Sequence, residues 1–130
     1  MTLLNVIAAA AGSWIFGAIW YMTLSKPWMA AAGIECDEHG KPKNSSATPF
    51  ILSAIAMLIV AGMMRHIFGM SGIETIGAGL VSGLGIGLFF IAPWIMINNA
   101  YGQKPYMLTL IDGGYATFGC AIIGTILTAF

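Results

Sequence analysis

Four apolar runs, each close to the length of a bilayer crossing, leave this chain few ways to fold. They cover about 3–24, 49–68, 73–97 and 107–130, and roughly 20 apolar residues in a helix cross a hydrocarbon core of about 30 Å. Helix is the state that satisfies every backbone donor and acceptor within the segment; a closed barrel is the alternative. None of the runs alternates with period two, so a barrel is not supported. Composition points the same way. Hydrophobic residues make up 58% of the 130 and charged residues 8%, against roughly a quarter charged in soluble domains. A soluble fold of this size could not hide so much apolar surface. Leu3 to Leu24 lacks a basic stretch before it and is too long for a signal-peptide core, so it is expected to be a retained first helix.

The sequence therefore predicts an all-α, integral membrane, four-helix up-down-up-down bundle, a single domain over 1–130. Its one sizeable loop, 25–48, opens with Pro27-Trp28-Met29-Ala30-Ala31-Ala32-Gly33. That segment reads as a short interfacial helix, with proline in its first turn and glycine at its stop and Trp28 as an anchor. The remainder, through Asn44-Ser45-Ser46, reads as a flexible turn, and Pro49 opens the second long helix. Gly69-Met70-Ser71-Gly72 forms a tight hairpin to the third, which the short 98–106 loop joins to the fourth. Lys26, Lys41, Lys43 and Lys104 fall on one side and Arg65 on the other. The positive-inside rule puts both loops in the cytoplasm and both termini outside, in a bacterial inner membrane.

Small residues recur at helical spacing. Gly79, Gly83 and Gly87 in the third run, and Ala116, Cys120 and Gly124 in the fourth, each mark one face along which backbones can approach closely. Packing within the bundle is the expected role; a contact with a partner or a second copy is the alternative. Pro93 removes a backbone donor and crowds the Phe89 carbonyl, which predicts a bend late in the third helix. Cys36 and Cys120 lie in a charged loop and an apolar run, and are expected to be free thiols.

Asp112 is the residue most capable of chemistry. It lies about 7 Å inside the fourth run at 1.5 Å per residue, where a carboxylate is expensive and turns towards protein or water. At the same depth, the antiparallel order places Trp20 and Tyr21 of the first helix, Ser53 of the second, and Trp94 and Asn98 of the third. Tyr115 shares the helical face of Asp112. This polar-aromatic cluster reads as either a binding or proton-coupling site or a structural anchor, with Asp112 accepting from tyrosine, tryptophan or Lys104. Arg65 and Glu74 are placed to close the tight hairpin. His66 and His39 lack the company zinc requires, and no metal or cofactor is expected. No hydrolase, kinase, dinucleotide or zincin motif occurs, so no enzyme is expected. Zero net charge without a basic patch argues against a nucleic-acid partner.

Two patterns carry a resemblance. Gly17-Ala18-Ile19-Trp20-Tyr21 is followed by Leu24, Lys26 and Trp28; Asn98 to Gly102 is followed by Leu110-Ile111-Asp112-Gly113-Gly114-Tyr115 and Gly124. Together they resemble the small bacterial membrane proteins grouped as domain of unknown function 1761, over nearly the whole chain. This chain departs from the family at Asn99-Ala100-Tyr101, where members often pair an aromatic with an acid, so no role of that acid carries over. The resemblance implies the four-helix fold and directs attention to Trp20, Tyr21, Asp112 and Tyr115; it implies no activity. Small multidrug exporters would want an acid in helix one, and fluoride channels a glycine-rich Arg-Tyr pattern, and neither is present. The expected function is a non-catalytic accessory, assembly or structural subunit, packed in the bilayer against another membrane protein or its own copy. The alternative is a small oligomeric transporter or channel working through Asp112.

Overall fold

The computed structural model describes residues 3–43 and 46–130, and the regular elements within these are helices joined by short connectors. Helix α1 spans Leu3–Thr23, α2 Ser25–Ala32, α3 Thr48–Ser71, α4 Ile76–Ile86, α5 Ala92–Tyr101 and α6 Tyr106–Ala129. A five-residue π-helical segment, Gly87–Ile91, joins α4 to α5, so that the two run as one helix over Ile76–Tyr101. That composite helix, α1, α3 and α6 are each long and apolar enough to cross a membrane.

Local chemistry sets the boundaries. Short helix α2 stops at Gly33, whose φ of 74° is left-handed, a conformation glycine adopts without a Cβ penalty. Its exposed C-terminal carbonyl at Ala32 accepts from Lys104 Nζ at 3.2 Å, so a lysine from the far loop caps it. Beyond α2, the Asp37 carboxylate organises a turn by accepting from the backbone N–H groups of His39 at 2.8 Å and Lys41 at 2.9 Å. The flexible turn expected through Asn44-Ser45-Ser46 falls partly outside the described residues, since Asn44 and Ser45 are not among them.

The third apolar run becomes helical only at Ile76, three residues later than its apolar character suggests. Gly72, with φ of 69°, ends α3, and both Gly72 and Ile73 return their N–H groups to the Phe68 carbonyl. Thr75 then caps α4, its hydroxyl oxygen accepting from the Ala78 N–H at 3.2 Å. Ile73 and Glu74 are thereby left as connector. At the other end the helix runs on through Asn98 and Asn99 to Tyr101.

Helix α6 is the hub: half of its apolar span is buried, against 11% of α3's and 11% of the composite helix's. It runs opposite to α1, with Asn5 bonded to the Leu127 and Phe130 carbonyls at one end and Tyr21 to Asp112 at the other. Against the composite helix the sense is also opposite, from Gly79 beside Gly124 to Asn99 beside Thr109. Helix α3 packs mainly on α1, and α3 and α4 barely meet although they are neighbours in sequence. Val6, Ala9, Ala10, Ala61, Met64, Phe68, Cys120, Ile123 and Leu127 form the core where α1, α3 and α6 converge. Large apolar side chains such as Ile51, Leu52, Ile59 and Met63 point outward from α3.

Candidate functional site

The two patterns singled out in the sequence form one surface. On α1, Trp20 and Tyr21 follow Gly17 by three and four residues, which puts all three on the side facing α6. Opposite them, Tyr21 donates its hydroxyl proton to Asp112 Oδ1 at 2.7 Å, and Trp20 donates Nε1–H to the Ile111 carbonyl at 2.9 Å. The ring of Tyr115 fills the space left by the absent side chain of Gly17, where a Cβ would sit 2.7 Å from the ring. Trp20 in turn fills the space at Gly114, where a Cβ would also come within 2.7 Å of the ring. Each glycine is thus a socket for an aromatic from the other helix.

Aromatic packing extends the arrangement. Tyr21 meets Tyr115 edge-on at 5.5 Å between centroids and Trp28 of α2 edge-on at 5.7 Å, geometries that suit ring quadrupoles. Phe16 bridges Trp20 and Tyr115. Deeper in, the Tyr115 hydroxyl lies 3.2 Å from the Ser13 carbonyl and 3.4 Å from Met57 Sδ of α3. Asp112 is partly buried, and with one oxygen held by Tyr21 it joins α6 to α1. An ionised acceptor makes such a bond stronger than a neutral pair.

Three residues expected at this depth lie elsewhere. Trp94 is 66% exposed and Asn98 is exposed. The cause is the π-helical segment, where the Ala92 N–H bonds the Gly87 carbonyl five residues back. One extra residue is absorbed in that turn, just before Pro93, which lacks the N–H for a regular bond. A straight helix would continue the Gly79–Gly83–Gly87 face through Ile91, Trp94 and Asn98; after the insertion it continues through Ala92, Ile95 and Asn99. Accordingly Ala92 lies under Gly113, and Asn99 Nδ2 donates to Thr109 Oγ1 at 3.1 Å. Ser53 instead accepts from Trp14 Nε1 at 2.9 Å and tethers α3 to α1. Lys104, a candidate partner for Asp112, caps α2.

On the opposite face of α6 the two small-residue triplets meet rung by rung. A Cβ on Gly79 would strike the Gly124 carbonyl oxygen, one on Gly83 the Cys120 carbonyl oxygen, and one on Gly87 the Ala116 carbonyl oxygen. At Gly83 and Gly87 the nearest atoms are all backbone; at Gly79 the Thr128 side chain shares the contact. Three threonine hydroxyls of this helix bond within it: Thr117, Thr125 and Thr128 each donate to the carbonyl four residues earlier at 2.8 Å. Both Cys36 and Cys120 are free thiols.

The model of a family described as a protein of unknown function, DUF1761, matches residues 4–128. The chain belongs to the DUF1761 family. No curated protein and no solved structure matches it. Gly17, Gly114 and Phe16 complete the site beyond the residues named from polarity and depth. The signal of Gly17 and Gly114 in the sequence was only their place inside the two DUF1761 patterns; Phe16, just before the first, had none.

Proposed function

We propose that this DUF1761 protein is an integral membrane protein whose four long helices cross the bilayer up-down-up-down. The loops 25–48 and 98–106 are cytoplasmic and both termini lie outside. The outward apolar side chains of α3 support insertion, because so large an uncovered apolar surface calls for lipid or protein. The orientation rests on the lysine bias.

Within that frame we propose a non-catalytic accessory or structural subunit of a bacterial inner-membrane assembly, packed against another membrane protein or a second copy. One observation carries this reading: the acid holds α6 on α1, with Tyr21 donating to its oxygen and Trp28 packed edge-on against Tyr21. A carboxylate used as an anchor accounts for its place without a substrate. Extraction from native membranes in a mild detergent, followed by identification of stoichiometric companions, tests it. A fixed larger complex or a defined homo-oligomer is the expected result; a monomer that moves ions or small molecules in liposomes would overturn it.

The second reading, a small oligomeric transporter or channel using Asp112, is favoured by the partial exposure of that residue. It requires Asp112→Asn to abolish flux while leaving stability unchanged. The anchor reading expects the reverse.

A further inference from the structure

Helix α2 is too short to stand by itself. Its eight residues fall below the roughly 12–15 at which an isolated helix becomes even marginal in water, so contacts with the rest of the chain keep it formed. On its N-terminal side the chain breaks from α1 at Leu24, whose φ of −102° and ψ of 20° are not helical and whose side chain can cap nothing. On its C-terminal side it stops at left-handed Gly33. Between these breaks Met29 and Ala31 are buried, and Trp28 packs edge-on against Tyr21, the residue that holds Asp112.

A further hold on α2 comes from the 98–106 loop. Lys104 Nζ donates to the Ala32 carbonyl at 3.2 Å, where a cation also meets the negative end of the helix dipole. The backbone that carries this lysine is fixed. Gln103 has a φ of 55°, left-handed and costly for a residue with a Cβ. Gln103 and Lys104 return their N–H groups to the Ala100 and Asn99 carbonyls at 3.1 and 2.9 Å. Strain is thus kept at the residue that sets the direction of Lys104. Lys104 itself is exposed, so solvent reaches this contact while Met29 and Ala31 stay covered.

We propose that α2 is a strap and Lys104 its latch. With the latch closed, α2 is helical and seats Trp28 on Tyr21. With the latch open, α2 unfolds and lifts as a unit between Leu24 and Gly33, leaving the tyrosine that holds Asp112 uncovered by Trp28. Local opening of this kind belongs to elements with few buried contacts of their own. One cation at a helix end changes an opening equilibrium by about threefold, and only a helix close to balance registers that over its whole length. The strap works in the same way whether Asp112 is an anchor or a binding group.

Hydrogen exchange of the full chain in detergent micelles, resolved to single amides by fragmentation, tests this. Lys104→Met has a side chain that cannot donate, and is expected to speed exchange of amides 28–33 together, by about threefold, with α1 and α6 unchanged. Lys104→Arg keeps both charge and donors and is expected to restore the parent rates. Unchanged exchange in Lys104→Met would overturn the latch. A rise confined to Ala32 and Gly33 would overturn the strap, because it is the fraying of a lost cap and not the opening of a unit. A rise spread evenly over α1, α2 and α6 would also overturn it, as a loss of stability in the whole bundle, and so would a Lys104→Arg variant as fast as Lys104→Met.

Discussion

The two faces of α6 are packed by different physics. Towards α4 the contact is backbone on backbone, with Gly79, Gly83 and Gly87 set against the carbonyls of Gly124, Cys120 and Ala116. Towards α1 it is side chain on backbone and side chain on side chain, through Trp20, Tyr21, Asp112 and Tyr115. In lipid there is no hydrophobic drive between helices, so association comes from close dispersion contact and from polar groups that prefer each other to hydrocarbon. One helix uses both, on opposite sides. The glycine face tolerates no added atom because a carbonyl cannot rotate away. The aromatic face has side chains that can shift, but it carries polar groups that cannot be left alone.

That contrast orders the expected effects of substitution. Gly83→Leu is the most damaging, because its side chain must displace the Cys120 carbonyl and part the helices. A loss of about 3 kcal/mol, at the upper end for overpacking, should appear in unfolding by denaturing detergent. A tolerated Gly83→Leu would mean that α4 and α6 do not approach as described. Tyr21→Phe should cost about 1 kcal/mol, in the range of interhelical hydrogen bonds measured in membranes, because it removes the hydroxyl and keeps the ring. Asn99→Ala should cost about 0.6 kcal/mol by the same comparison, and Asn98→Ala nothing measurable; the reverse ranking would deny the register shift at Gly87–Ile91. Smallest is Gly85→Ala, where a Cβ meets nothing within 4 Å. It should stabilise by about 0.5 kcal/mol, through helix propensity alone.

Much of the fold was legible because length and hydropathy dictate it. The four long helices and the short helix α2 follow from apolar run length and from Pro27 and Gly33. The π-segment is different. Pro93 announces an irregularity, but whether the helix bends or absorbs an extra residue depends on what α6 offers beneath it, and that decided between Asn98 and Asn99. Depth also proved easier to read than azimuth. Ser53, Trp94 and Tyr21 were assigned the same level from chain order alone, yet only Tyr21 faces Asp112, because rotation about each helix axis is set by packing. Gly17 and Gly114 were invisible as sockets for the same reason: a glycine acquires that role only from the ring opposite it. Gly83 and Gly85, two residues apart, show how little the residue type alone says.

The central claim is that Asp112 is an anchor, coupled through Tyr21 to the α1 face of α6. A double-mutant cycle of Tyr21→Phe and Asp112→Asn, read as unfolding free energy in mixed micelles, tests it most directly. The account predicts non-additive losses, with a coupling of about 1 kcal/mol between the two positions. Additive losses, or an Asp112→Asn variant as stable as the parent, would contradict it and return Asp112 to the role of a binding or proton-coupling group.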